Sequence, residues 1–149
     1  MVNKKRGFTL LELLIASGIL VIALTGLLAT YAACFDLVET TRNSNLALNA
    51  AQKNLEEMRN ANFLSIFSSY NGTTFQVSGM PANSSLGFIS INNSNSSLLK
   101  VAVGVCWRQK GSRVVGECND SGGVLVFSDS NGDGRLNSPV ELSTYMAQR

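Results

Sequence analysis

Gly7-Phe8-Thr9-Leu10-Leu11-Glu12-Leu13-Leu14 opens the stretch on which the reading of this chain turns. Three positive charges, Lys4, Lys5 and Arg6, stand immediately before it, and from Leu13 to Phe35 no charged residue occurs. As helix, that uncharged run of about 23 residues reaches roughly 34 Å, enough to span a bilayer. The basic residues ahead of it predict a cytoplasmic N-terminus, with the following residues on the outer face. Glu12 is then out of place, because an acid near the membrane core costs about 2.5–3.5 kcal/mol on insertion scales and usually marks function.

Two ordinary segments compete for this stretch. A secretory signal peptide would have a charged start, an apolar centre and small residues near Ala32-Ala33. Its apolar centre would be far longer than usual and would contain Glu12. A lipoprotein variant cut before Cys34 has the same defect and a bulky Tyr31 in place of an aliphatic residue. A plain transmembrane anchor leaves Glu12 unexplained. Lys5-Arg6-Gly7 followed by Phe8-Thr9-Leu10-Leu11-Glu12 resembles instead the N-terminal signal of type IV prepilins and type II secretion pseudopilins. The resemblance implies cleavage after Gly7 by a prepilin peptidase and N-methylation of the new terminus at Phe8. It also implies that Glu12 pairs with the N-terminal amine of a neighbouring subunit during assembly, which supplies the cation that a buried acid needs.

Composition narrows the remaining functions. The chain has 149 residues, one modest domain plus a helix, with 15% charged residues and a net charge of +2. Outside Lys4, Lys5 and Arg6 it is close to neutral, without a basic patch able to neutralise many phosphates, so nucleic acid is not an expected partner. Histidine is absent, which removes the commonest general base and the commonest transition-metal ligand. No residue set supports catalysis, and an enzyme is not expected.

Beyond Phe35 the pattern stays helical. Leu48, Ala51, Leu55 and Met58 recur at i, i+3, i+7 and i+10, a narrow apolar stripe among polar neighbours. Proline does not occur before Pro81, so one continuous helix is predicted from Phe8 to about Asn60, weakened locally at Gly18 and Gly26. Relatives often carry a proline about three turns into the apolar half, and this chain departs from them there. The segment from Ala47 to Phe63, with Leu55-Glu56-Glu57-Met58-Arg59, is similar to the helix end of minor pilins and pseudopilins of the V and I types.

From Asn62 to Ser97 the chain is rich in Ser, Asn and Gly. Phe75-Gln76-Val77 and Phe88-Ile89-Ser90-Ile91 alternate as strands, Asn71-Gly72 and Gly79-Met80-Pro81 read as turns, and Asn92 to Ser97 reads as a polar loop. Further apolar runs are Leu98 to Trp107, Arg113 to Val115, Val124 to Phe127 and Val140 to Tyr145. A hairpin turning at Gln109-Lys110-Gly111-Ser112 would set Arg113 opposite Arg108 and Val115 opposite Cys106. Cys118 would then fall three residues past the direct partner of Cys106, so a Cys106–Cys118 bridge needs a bend or a wider turn. An oxidising compartment outside the membrane favours that bridge, while two free thiols are the alternative.

Asp129-Ser130-Asn131-Gly132-Asp133-Gly134-Arg135 matches the first half of a calcium loop, with ligand oxygens from Asp129, Asn131, Asp133 and Arg135 at alternate positions. The closing acid arrives one place late, at Glu141, and no flanking calcium-loop helices are evident. The same residue types are what a polar turn requires, so Ca2+ and a bare turn both remain open.

These expectations combine into an α+β fold, a long N-terminal helix packed on a C-terminal antiparallel sheet. Residues 1–7 form a leader, 8–35 a transmembrane and filament-core half, 36–62 an amphipathic half and 63–149 a globular domain. The function implied by the resemblance is that of a minor subunit of a type IV pilus-like filament, with a type II secretion minor pseudopilin of the I or H type as the alternative. Its partners would be other pilin or pseudopilin subunits, the prepilin peptidase and methyltransferase, an inner-membrane assembly platform and membrane lipid. Its location would be the bacterial inner membrane, in a single pass, and then a periplasmic or extracellular filament. Two rivals of other classes are a membrane-tethered calcium- or ligand-binding domain that never polymerises and a conventionally secreted protein.

Overall fold

Near its start the chain has a helix-initiating pattern, Thr9-Leu10-Leu11-Glu12, of the capping-box type. In a computed structural model, which describes residues 8 to 148 except Ser96, helix α1 begins there and runs Leu10–Asn60. The Thr9 hydroxyl accepts the Glu12 amide at 3.3 Å, and the Glu12 charge falls in the first turn, where the helix dipole favours an anion. The chain divides into two compact units between Val38 and Glu39. In the first, every described residue is exposed, including a dense set of leucines, isoleucines and valines.

In the second unit, α1 buries Ala47, Ala51, Leu55 and Met58 against a sheet. The buried line passes through Ala47 rather than the expected Leu48, which sits partly covered at its margin. Spacing of four, four and three residues keeps one helical face inward, and the two alanines let the backbone approach closely. A second helix, α2 (Phe63–Tyr70), follows at once and was not expected. Asn62 caps it by accepting the Leu64 amide at 3.0 Å, and Phe63, Ile66, Phe67 and Tyr70 line its inward side.

Seven strands follow: β1 (Thr74–Phe75), β2 (Ser85–Asn95), β3 (Leu98–Gln109), β4 (Arg113–Val115), β5 (Cys118–Ser121), β6 (Val124–Phe127) and β7 (Val140–Ala147). All pairings are antiparallel. Strand β1 is shorter than Phe75-Gln76-Val77 implied, because the chain turns away and the Val77 amide donates to the Ser85 hydroxyl at 3.0 Å. Strand β2 is longer than expected. It continues through the polar residues to Asn95, with an irregularity between Asn92 and Asn95, because β3 supplies ladder partners there.

Strand β3 is the centre. Its Leu99, Val101, Val103, Val105 and Trp107 face α1 and form the main core with it. One edge of β3 pairs with β2, and the other is shared end to end: Trp107–Gln109 pair with β4, and Leu98–Val105 pair with β7. Between those two partners the chain leaves the sheet for residues 116–139, carrying the separate β5–β6 hairpin, and then returns.

The β3–β4 register corrects the expected hairpin by one residue. Gln109, not Arg108, lies opposite Arg113, and Trp107, not Cys106, lies opposite Val115. The turn contains three residues instead of four, made possible by left-handed conformations at Gly111 and Ser112 (φ 81° and 63°).

Candidate functional site

Two regions hold the residues that the sequence marks for function. At the N-terminus, the expected cleavage residue Gly7 and the leader 1–7 lie outside the described residues. Phe8 is 83% exposed, and Glu12 is exposed one helical turn further on. The following apolar stretch has a window of mean hydropathy 2.4, long and apolar enough to cross a membrane, with none of that window buried. Along it the Ser17, Thr25 and Thr30 hydroxyls donate back to the Leu14, Ile22 and Gly26 carbonyls at 2.9 Å. Hydroxyls satisfied in this way carry little polarity to the helix surface.

The second region is the excursion 116–139, which covers the reverse face of β3. That face carries small residues, Ala102, Gly104 and Cys106, because another layer presses on it. A side-chain carbon on Gly104 would lie 2.2 Å from the Leu136 carbonyl oxygen, so only glycine fits under that loop. Leu125 and Leu136 bury themselves there, and Phe127 stacks on Phe88 of β2 with ring centroids 4.0 Å apart.

The sulfurs of Cys106 and Cys118 are bonded across a Cα separation of 6.3 Å. In the observed register the residue continuing opposite Cys106 is Gly116, and Cys118 stands two residues beyond it. An even offset returns the side chain to the same face. The bend occurs at Gly116, in a left-handed conformation (φ 97°), where a side-chain carbon would come within 2.8 Å of Cys106 Cβ. A salt bridge of 2.7 Å from Arg108 to Asp120 lies beside the disulfide.

Glu117 closes the base of the excursion. Its backbone amide donates to the Asn137 carbonyl at 2.8 Å, while its carboxylate accepts the Asn137 side-chain amide at 2.9 Å and the Ser130 amide at 2.9 Å. The Asn137 side-chain bond, joined by the Ser130 amide, holds the Glu117 carboxyl below its ordinary value of 4.5, outweighing the desolvation that would raise it. Ser138 then donates its hydroxyl to the Val105 carbonyl, returning the chain to the sheet at β7.

The acidic loop lies within this excursion. Asp129 accepts the amides of Gly132 and Gly134, both at 2.8 Å, and that of Asp133 at 3.1 Å. Asn131 and Asp133 accept the amides of Asp133 and Arg135 at 3.2 and 2.9 Å. Glu141 is drawn into an ion pair with the Arg135 guanidinium. The candidate ligand oxygens thus serve the loop's own backbone, and among the described residues no group of three or more acidic, cysteine or histidine side chains converges to hold a metal.

A family profile described as the prokaryotic N-terminal methylation motif matches residues 2–28. The chain thus carries the N-terminal methylation motif found at the head of type IV pilin-like and pseudopilin proteins. No curated protein and no solved structure matches it.

In this pilin-like protein the motif and the fold agree. A methylation motif heads an exposed apolar helix, and an α+β domain follows. The family is structural, not enzymatic. The sequence reading missed Glu117, the residue that ties both ends of the excursion together. Its only sequence signal is a carboxylate wedged between Gly116 and Cys118, which has no meaning until Asn137 is known to lie beside it.

Proposed function

We propose that this protein is a minor subunit of a type IV pilus-like filament, cut after Gly7, methylated on Phe8 and assembled through its N-terminal helix. The observation that carries the proposal is the fully exposed apolar segment headed by the matched motif. An apolar helix that buries nothing in its own chain needs another environment, first lipid and then the helices of other subunits. Glu12 is the one acid within that helix before Asp36, and a neighbour's Phe8 amine is the cation that makes its burial tolerable. The protein acts by extraction from the inner membrane and incorporation, with no chemistry of its own. The cutting, methylating and extracting machinery are its partners. The run Leu55–Arg59, similar in V-type pilins and I-type pseudopilins, makes a type II secretion minor pseudopilin the second reading.

The test is the intact mass and N-terminal residue of the protein taken from its host's membranes. A chain beginning at N-methylated Phe8 is expected. A chain that begins near Cys34, or one still carrying Met1, sinks the proposal.

A further inference from the structure

We propose that Asn131 is a site of self-modification, where the chain closes its own side-chain amide to a succinimide that water opens to aspartate or isoaspartate. The inference stands apart from the filament reading, because it rests only on the globular unit.

An asparagine followed by glycine can cyclise, because no side chain shields the backbone nitrogen that must attack it. The chain has two such pairs, Asn71-Gly72 and Asn131-Gly132, and the fold treats them oppositely. Asn71 Oδ1 accepts the Ile91 amide at 2.8 Å, and the Gly72 amide donates to the Ile89 carbonyl at 2.9 Å. Both reacting groups of that pair are fastened to β2, so cyclisation there needs the strand to open.

Asn131 and Gly132 are both exposed, and outside the flanking residues no atom lies within 4 Å of where a side-chain carbon on Gly132 would stand. The Gly132 N–H donates to Asp129 Oδ1 at 2.8 Å, within reach for the carboxylate to take its proton. That bond lies in the plane of the peptide and leaves the face of the nitrogen open to the side chain. The Asp133 amide, shared with Asp129, donates to Asn131 Oδ1 at 3.2 Å. It folds the side chain back over the following peptide and favours the negative charge that develops on that oxygen.

Water is the only co-reactant. The Gly132 nitrogen bonds to Asn131 Cγ and gives its proton to Asp129. The Cγ–Nδ2 bond then breaks, and Nδ2 leaves as ammonia with that proton. Water adds to either ring carbonyl. Opening at Cγ gives aspartate, and opening at the backbone carbonyl gives isoaspartate. Nothing is oxidised or reduced. Either product sets a new negative charge between Asp129 and Asp133. Isoaspartate also lengthens the backbone by a methylene group, which the amides of Gly132, Asp133 and Gly134 held by Asp129 cannot all follow.

The full-length protein in detergent would be held at mildly alkaline pH, and both pairs followed in the same sample by peptide mapping that separates aspartate from isoaspartate. Conversion at Asn131 is expected to run about tenfold or more faster than at Asn71, the difference collapsing in denaturant, where β2 no longer protects Asn71. Asp129→Asn keeps an oxygen acceptor for the loop amides but is a poor base, and should slow conversion at Asn131 by about tenfold. The amides of Val101 and Val103 should stay protected from exchange in that variant. Equal rates at the two pairs in the folded protein overturn the proposal. So does a difference that persists in denaturant, because the fold would then have no part in it. An undiminished rate in Asp129→Asn, with the sheet still protected, overturns it as well.

Discussion

Single residues carry the attachment of the excursion to the sheet. Because Glu117 is held below its ordinary value of 4.5 in the folded protein, its contribution is present above that value and disappears as pH falls through the folded value. Thermal melts of wild type and Glu117→Gln should therefore differ near neutrality and converge in acid below about pH 4.5. A difference that stays constant with pH would remove the carboxylate from the argument. Gly104 offers a steric test. Gly104→Val drives a side chain into the Leu136 carbonyl, and overpacking of this kind costs about 1–3 kcal/mol, readable as a lowered denaturant midpoint. At the acidic loop, the Asp129 oxygens already accept three amides and Glu141 is held by Arg135. Calcium and chelator should leave the melting temperature unchanged, and a clear rise with calcium would reopen the metal reading.

At the scale of elements, the packed half of α1 and the disulfide bear the most weight. Met58→Ala removes a fully buried side chain between helix and sheet and should cost about 2–5 kcal/mol. Replacing Cys106 and Cys118 together by alanine opens a link of sequence separation 12 and should cost about 2–4 kcal/mol in equilibrium unfolding. What the sequence made legible followed from periodicity. A single apolar face marks α1, alternation marks β3, and short apolar runs mark β6 and β7. The reading slipped where chemistry is local. Asn62 caps α2 inside a stretch whose polar composition hid an apolar face, and the positive φ at Ser112 shortened a turn by one residue. The extension of β2 came from its partner strand, which no local pattern of Asn and Ser can announce.

For the whole molecule, Glu12 separates capping from assembly. Glu12→Gln keeps a side chain able to serve the capping box and removes the charge, whereas Glu12→Ala removes both. Both variants should lose incorporation into filaments, measured in sheared surface fractions, while exchange protection of β3 stays as in wild type. Normal incorporation of Glu12→Gln would show that the carboxylate works as a helix cap alone. The division between Val38 and Glu39 has the same logic, with an exposed apolar unit on one side and a self-contained core on the other.

The chain leaves β3 after β4 and rejoins the same edge of the same strand at β7. Everything between is a detour fastened at its two ends by Glu117, Cys118 and Asn137, so lengthening or shortening its outer turns would not shift any pairing in the main sheet. The fold thus carries an interchangeable facade. Its visible surface can be redrafted over generations of sequence change while the frame behind it keeps its alignment.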